Sequence, residues 1–277
     1  MRVWAHLMAV ALVWQLAACG SPAPPPAQPP EPTPPAGGPA PVETFTTADG
    51  VPVAVQVVAT RLEIPWALAF ATDGRLFVSE RPGRVRILQN GSLLPDPALT
   101  ISDVFTRDES GVLGLALHSS FAANRLVYLV YTASEAGGPV ARLVHYREVD
   151  NVLGERAVLL DDVPAANIHN GSRVRFGPDG FMYVSFGDVA TPSVAQDLGS
   201  LNGKILRLAE DGTTPAGNPF GSPLWSWGHR NPQGIDWHAV TGELWGSEHG
   251  QTGNDEINRL QPGRNYGWPI IEADQTR

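Results

Sequence analysis

The stretch Ser172 to Asp188, "SRVRFGPDGFMYVSFGD", decides the fold. Two runs rich in β-branched and aromatic residues flank a Pro-Asp-Gly turn, and Asp179-Gly180 supplies the positive φ that a tight hairpin requires. The same order of apolar strand, turn and apolar strand recurs in "WALAFATDGRLFVSE" (Trp66 to Glu80), "LALHSSFAANRLVYLVYT" (Leu115 to Thr132) and "GIDWHAVTGELWGSE" (Gly234 to Glu248). Asp73-Gly74 and Thr241-Gly242 mark two of these turns. With Asn124 as the turn of the remaining hairpin, successive turns fall about 50, 56 and 62 residues apart, close to the blade-sized periods of propellers. Radial repetition of four-stranded sheets uses such a period and tolerates variable outer loops. The sequence therefore predicts an all-β chain, a β-propeller. A large β-sandwich is the alternative, but it does not account for polar residues recurring at the same edge of each unit. No helical period of 3.6 is sustained over a useful length.

Composition agrees. The chain has 277 residues, 43% of them hydrophobic and 17% charged, enough for a sizeable core. Its 29 glycines and 26 prolines suit many short strands joined by turns. A formal net charge of −9 offers no basic surface to a phosphate backbone, so no nucleic-acid partner is expected. The single cysteine, Cys19, excludes an intrachain disulfide and a cysteine zinc cluster.

Residues 1–19 read as an export signal. Arg2 precedes an apolar run from Val3 to Leu16 that is short for a membrane span, and Leu16-Ala17-Ala18-Cys19-Gly20 resembles a bacterial lipobox. Cys19 would then carry a lipid anchor; an ordinary cleaved signal peptide or a mis-called start is the alternative. Residues 20–41 read as a proline-rich linker, extended polyproline II acting as a spacer, with an SH3-type ligand as the alternative. The propeller domain is expected over 42–277. The protein is expected to be exported and lipid-anchored at the cell envelope, on the periplasmic or outer-membrane side.

In a propeller, loops at one end of the blades converge on the central channel, so distant residues share a site. His169 and Asp188 bracket one hairpin, whose ends return to the same edge. A carboxylate on one imidazole nitrogen fixes the tautomer and leaves the other as a general base; a satisfied structural histidine is the alternative. In "WGHRNPQG" (Trp227 to Gly234), Arg230 is a planar cation suited to charge developing on an oxygen, and Asn231 is a two-sided hydrogen-bonding group; a surface turn explains both equally. Glu109 lies in "DESGVLGLALH" (Asp108 to His118). The acidic, glycine-rich "SEHGQTGNDEINRLQPGRNYGWP" (Ser247 to Pro269) offers oxygens to a hard cation such as Ca²⁺, although most acidic loops are merely solvated. Walker A, H-E-x-x-H, G-x-S-x-G and dinucleotide signatures are absent, which disfavours the usual nicotinamide enzymes and serine hydrolases.

Together these phrases, with "QDLGSLNGKILRL" (Gln196 to Leu208), resemble the pyrroloquinoline quinone (PQQ)-dependent soluble aldose sugar dehydrogenases of the glucose/sorbosone dehydrogenase family, which are six-bladed propellers. The resemblance runs from about Ile64 to Pro269. It implies that His169 is the base at the sugar's anomeric hydroxyl, that Asp188 orients it, that Arg230 stabilises charge on the quinone and that Asn231 contacts the cofactor. It further implies that the carbonyls of Gly250 and Gln251 hold a cofactor-bridging calcium, and that Glu256 and Tyr266 belong to a second, structural one. Two positions depart from the family pattern. Gln251 replaces the usual proline, and Glu109 stands where some members place a cofactor-touching glutamine, so a carboxylate there must be protonated or turned aside. The family continues well past "NYGWP", so the chain is expected to carry roughly four blades and to be truncated at its C-terminal side. An open ring leaves a bare sheet edge, which invites self-association such as a homodimer.

The function so implied is PQQ- and Ca²⁺-dependent oxidation of aldose sugars at C1 to lactones, with electrons passed to an external acceptor other than oxygen. The alternatives are a calcium-dependent propeller lactonase and a non-catalytic propeller that binds carbohydrate or protein.

Overall fold

A computed structural model describes residues 43–273. The segments read as an export signal ending at Cys19 and as a proline-rich linker lie outside the described residues. The chain divides into two compact units, at Gln56/Val57. Of the first, the described part is one antiparallel hairpin, β1 (Glu43–Thr46) with β2 (Pro52–Val55).

The second unit is almost entirely β-structure, in four antiparallel sheets that follow one another along the chain as blades. The first blade contains β3 (Pro65–Phe70), β4 (Leu76–Glu80) and β5 (Arg84–Gln89), with the short β6 (Ser92–Leu93) and β7 (Leu99–Thr100) both paired to β5. The second contains β8 (Val112–Leu117), β9 (Leu126–Ala133), β10 (Val140–Val149) and β11 (Val152–Pro164). The third contains β12 (Val174–Phe176), β13 (Met182–Phe186), β14 (Lys204–Leu208) and β15 (Leu224–Trp227). The fourth has three strands among the described residues, β16 (Pro232–Trp237), β17 (Leu244–Glu248) and β18 (Glu256–Leu260). Each hairpin singled out in the sequence is the first strand pair of a blade. The inner strands β3, β8, β12 and β16 touch in that order, which makes the arrangement a β-propeller.

The turn glycines behave as expected, with φ of 88° at Gly74, 81° at Gly180 and 69° at Gly242. The second blade differs. Its connection is a four-residue helix, α1 (Phe121–Asn124), and the left-handed residue is Arg125 rather than Asn124. Arg125 accepts that strain while its guanidinium lies 3.0 Å from Glu148 and 3.3 Å from Asp73, which anchors the connection to the first blade's turn.

The blades have no separate cores. In β9, "LVYLVYTA", alternate side chains enter different clusters: Val127, Leu129 and Tyr131 pack against Phe77, Val85 and Ile87 of the first blade, while Tyr128 and Val130 pack against Val174, Val184 and Leu206 of the third. The period of two thus reads as a continuous apolar run because both faces are buried. A third cluster, with Tyr183 and Ile205 facing Ile235, Leu244 and Leu260, joins the third blade to the fourth.

A buried ion pair reinforces the first of these seams at the rim. Arg75, 5% exposed, donates from both terminal nitrogens to Glu148, 1% exposed, at 2.8 and 2.9 Å. Replacing Glu148 by Ala leaves a buried guanidinium with only Asp73 as acidic partner. The expected loss is about 3 kcal/mol of unfolding free energy, to be measured as a fall in denaturant midpoint at unchanged slope.

Candidate active site

Antiparallel pairing brings the start of a blade's first strand and the end of its second to one edge. In the third blade, with Val174 opposite Val184, the segment 169–172 therefore meets Gly187-Asp188. In the fourth, Pro232 lies opposite Glu248, so Arg230-Asn231 meets the segment that opens with His249. Glu109, ahead of β8, reaches the same place: its backbone N–H donates to Asn167 O at 2.9 Å.

His169 sits in the left-handed region, φ 58°. Its Nδ1 is 2.8 Å from Asp188 Oδ1. Asp188 is fully buried, and its carboxylate also accepts Ala190 N–H at 2.9 Å on Oδ1 and the Trp268 indole N–H at 2.8 Å on Oδ2. An ionised carboxylate is an acceptor only, so Nδ1 is the donor and, in the neutral imidazole, Nε2 keeps its lone pair. The His169 side chain is 12% exposed, open enough to be reached. Gly187 is obligatory here, because a Cβ would lie 2.1 Å from His169 O.

The loops lock to one another through groups otherwise free to meet a ligand. Asp188 N–H donates to Arg230 O at 2.7 Å. Asn231, 1% exposed, accepts Gly171 N–H on Oδ1 at 3.0 Å and directs Nδ2 toward Glu109 Oε2 at 3.4 Å. That same oxygen accepts His169 N–H at 3.0 Å. The Glu109 carboxylate is thus turned aside as a clasp for His169 and Asn231.

Arg230 differs from its neighbours in being incompletely satisfied. Nη1 donates to His249 O at 3.1 Å, and the guanidinium carbon lies 5.4 Å from the centre of the Trp268 ring. Nε is buried with no partner, and no carboxylate pairs with the guanidinium among the described residues. Its backbone N–H is held by Glu248 Oε1. The other Glu248 oxygen takes His229 Nδ1 at 2.9 Å, and His229 Nε2 is 2.8 Å from Ser226 Oγ. This serine–histidine–glutamate line has the connectivity of a nucleophilic triad, but Ser226 and His229 are sealed from solvent and His229 stacks on Tyr266 at 4.7 Å. It braces Arg230 and has no opening for a substrate.

Arg230, Glu248, His249, Gly250, Glu256 and Tyr266 line one small crevice. Gly250 N–H donates to Asp255 Oδ1 at 3.0 Å, and Gln251 N–H donates to the Glu272 carboxylate. In a trans peptide the carbonyl opposes the N–H, so Gly250 O faces away from Glu272. Glu256 accepts Ala273 N–H at 2.6 Å and Asn258 Nδ2 at 2.8 Å. The Tyr266 hydroxyl is committed to its own hairpin, donating to Arg259 O at 2.6 Å and accepting Gln261 N–H at 2.8 Å. No cluster of three or more His, Cys, Asp or Glu side chains suited to a metal occurs among the described residues. Backbone carbonyls and single carboxylates such as Glu256 are the oxygens this segment offers a cation.

Lys204, 0% exposed, orders the loop that follows Asp188. Its ammonium donates to the carbonyls of Val194, Ala195 and Asn202 at 2.8, 3.1 and 2.7 Å. Gln196 of this loop exchanges amide hydrogen bonds with Asn265 at 3.1 and 2.9 Å and donates to Trp268 O at 2.6 Å. Ser226, His229, Glu248, Lys204 and Trp268 were not legible as site residues in the sequence, although His229 adjoins Arg230 and both Glu248 and Trp268 lie in the acidic segment from Ser247 to Pro269.

The Glucose / Sorbosone dehydrogenase family model matches residues 62–276, and the chain belongs to that family. It is 35% identical to aldose sugar dehydrogenase YliI of Escherichia coli, over 79% of this chain and 62% of that protein. The PQQ-bound aldose sugar dehydrogenase of Streptomyces coelicolor superposes with a TM-score of 0.74 at 36% identity, over 79% of this chain and 66% of the other. A Thermus thermophilus protein assigned as a glucose dehydrogenase gives 0.75 at 45% identity, over 80% and 69%. The chain spans about half to two thirds of the length of the curated relatives it matches.

Burial without a counter-ion lowers the Lys204 ammonium from 10.5 to about 8, opposed by the charge of Asp197. Between about pH 8 and 10.5 the unfolded chain then holds a proton that the folded one has released, so this residue's contribution to stability rises with pH in that window and is flat below it. Wild type should gain stability relative to Lys204→Met between pH 7.5 and 9.5, read from paired denaturation curves.

Proposed function

We propose that these residues form the active site of a PQQ- and Ca²⁺-dependent oxidoreductase that oxidises aldoses at C1 to lactones and passes the electrons to an acceptor other than oxygen or NAD. The observation that carries this reading is the pairing of an oriented base with an unsatisfied cation. With Asp188 on Nδ1, the neutral His169 imidazole presents Nε2 as the base, and Arg230, tied through its carbonyl to Asp188, keeps a buried Nε with no partner.

The residues fit the cofactor. An anionic, oxygen-rich quinone would satisfy the Arg230 guanidinium; Gly250 lines the same crevice, and its carbonyl and that of the adjoining Gln251 are of the type a hard cation takes. PQQ with its Ca²⁺ supplies the acceptor for the hydride that leaves C1. The rest falls to the chain. His169 Nε2 takes the C1 hydroxyl proton as the C1–H bond breaks and the carbonyl of the lactone forms; that proton then resides on the imidazolium, which Asp188 stabilises through Nδ1. Arg230 lays a fixed positive charge beside the oxygen on which negative charge accumulates. Glu109 and Asn231 hold the base and the cation in register, so the contact of Asn231 with a cofactor would have to come from its remaining amide hydrogen. Export past a signal ending at Cys19 would bring such an enzyme to sugars outside the cytoplasmic membrane; among the described residues no helix is long and apolar enough to cross one.

Purified protein supplied with PQQ and Ca²⁺ should reduce a dye at the expense of aldoses, and His169→Ala should lower kcat by on the order of a thousandfold with PQQ still bound. A folded protein that neither binds PQQ nor reduces dye refutes the dehydrogenase and favours a binding propeller.

A further inference from the structure

We propose that Trp268 is a positioning residue that sets the tautomer of His169 and the plane of Arg230 together; the catalytic part of this inference rests on the function proposed above. Trp268 is 8% exposed and touches both halves of the site with different parts of one indole. Its Nε1–H donates to Asp188 Oδ2 at 2.8 Å, while its ring face lies 5.4 Å from the Arg230 guanidinium carbon. The point from which the ring projects is fixed, because the backbone is held: Trp268 N–H donates to Gly228 O at 3.0 Å, and its carbonyl accepts Gln196 Nε2 at 2.6 Å.

The consequence for His169 follows from the carboxylate. Asp188 presents Oδ1 to the imidazole only while Oδ2 is fixed. Ala190 N–H also binds Oδ1, so the indole is the side-chain donor on Oδ2 that resists rotation of the group. Without it the carboxylate can turn, Nδ1 loses its dedicated acceptor, and the tautomer that bares Nε2 is no longer enforced. The consequence for Arg230 is separable. The indole face is a flat, polarisable platform for a planar cation whose Nε has no other partner, and any aromatic ring supplies part of that.

The two roles are tested with Trp268→Phe, which keeps a ring and removes the N–H, and Trp268→Leu, which removes both. In cofactor-free protein, imidazole ¹⁵N spectra of wild type should show His169 protonated at Nδ1 alone, and Trp268→Phe should show a mixture of tautomers. In protein loaded with PQQ and Ca²⁺, Trp268→Phe should lower kcat about tenfold, the equivalent of one lost hydrogen bond to a charged group, with the PQQ dissociation constant within twofold of wild type; Trp268→Leu should weaken PQQ binding as well. Unchanged His169 signals in Trp268→Phe overturn the proposal, whatever the activity. The spectra need no cofactor, so they decide the role of Trp268 even where wild type shows no dye reduction and the functional reading itself fails. A second measurement covers a misfolded variant: in wild type the Trp268 indole proton should exchange slowly and shift in Asp188→Asn, and exchange at the rate of an exposed indole refutes the contact.

Discussion

A single antiparallel blade of this chain has two apolar faces and no core of its own, and everything else depends on that constraint. Strand β9 shows it most directly, since neighbouring residues along it belong to different hydrophobic clusters. Burial of both faces is reached only by stacking the next blade against the last, which sets the inner strands side by side around an axis. The loops that enter those strands are then gathered at one end. Glu109, His169, Asp188, Arg230 and Asn231 meet because they stand at corresponding corners of successive blades, although up to 122 positions separate hydrogen-bonded partners.

Two carboxylates convert that gathering into defined geometry. Asp188 joins His169, Trp268 and the loop of Arg230. Glu248 joins Arg230 and the His229–Ser226 brace immediately ahead of the segment that bears Gly250 and Gln251. Each is buried and each has both oxygens occupied by donors, the condition under which a buried polar group specifies one arrangement rather than destabilising the fold. The unsatisfied Arg230 Nε stands out against this background.

Much of this was legible in the sequence. Glycine-bearing turns at a blade-sized spacing gave the architecture, because positive φ and alternating burial are local requirements written in residue type. That His169 and Asp188 meet at one edge was readable from hairpin geometry. Asn124 does lie in the second connection; it is the better left-handed residue in isolation, but Arg125 takes that conformation where its ion pairs with Glu148 and Asp73 compensate. The part played by Glu109 could not be read either, since a carboxylate facing a cofactor and one facing backbone N–H groups look alike until the loops are brought together. Trp268, Lys204 and Glu248 were hidden for a related reason. An indole, an ammonium and a carboxylate in a loop have many common uses, and only tertiary contacts across tens of residues select one.

Sharing of side chains between successive clusters also governs how the molecule comes apart. When each structural unit contacts only its neighbours, free energy divides into nearest-neighbour terms, and cooperativity extends as far as those terms bind one unit to the next. The second and third blades are gripped on both faces, so opening either requires two clusters to be lost at once. Fluctuations that expose backbone amides should be rarest in β9 and β13 and grow with distance from them. The His169–Asp188 dyad stands at the end of β13, on one of the most slowly opening parts of the chain, so its alignment is protected from the local unfolding that loosens surface loops.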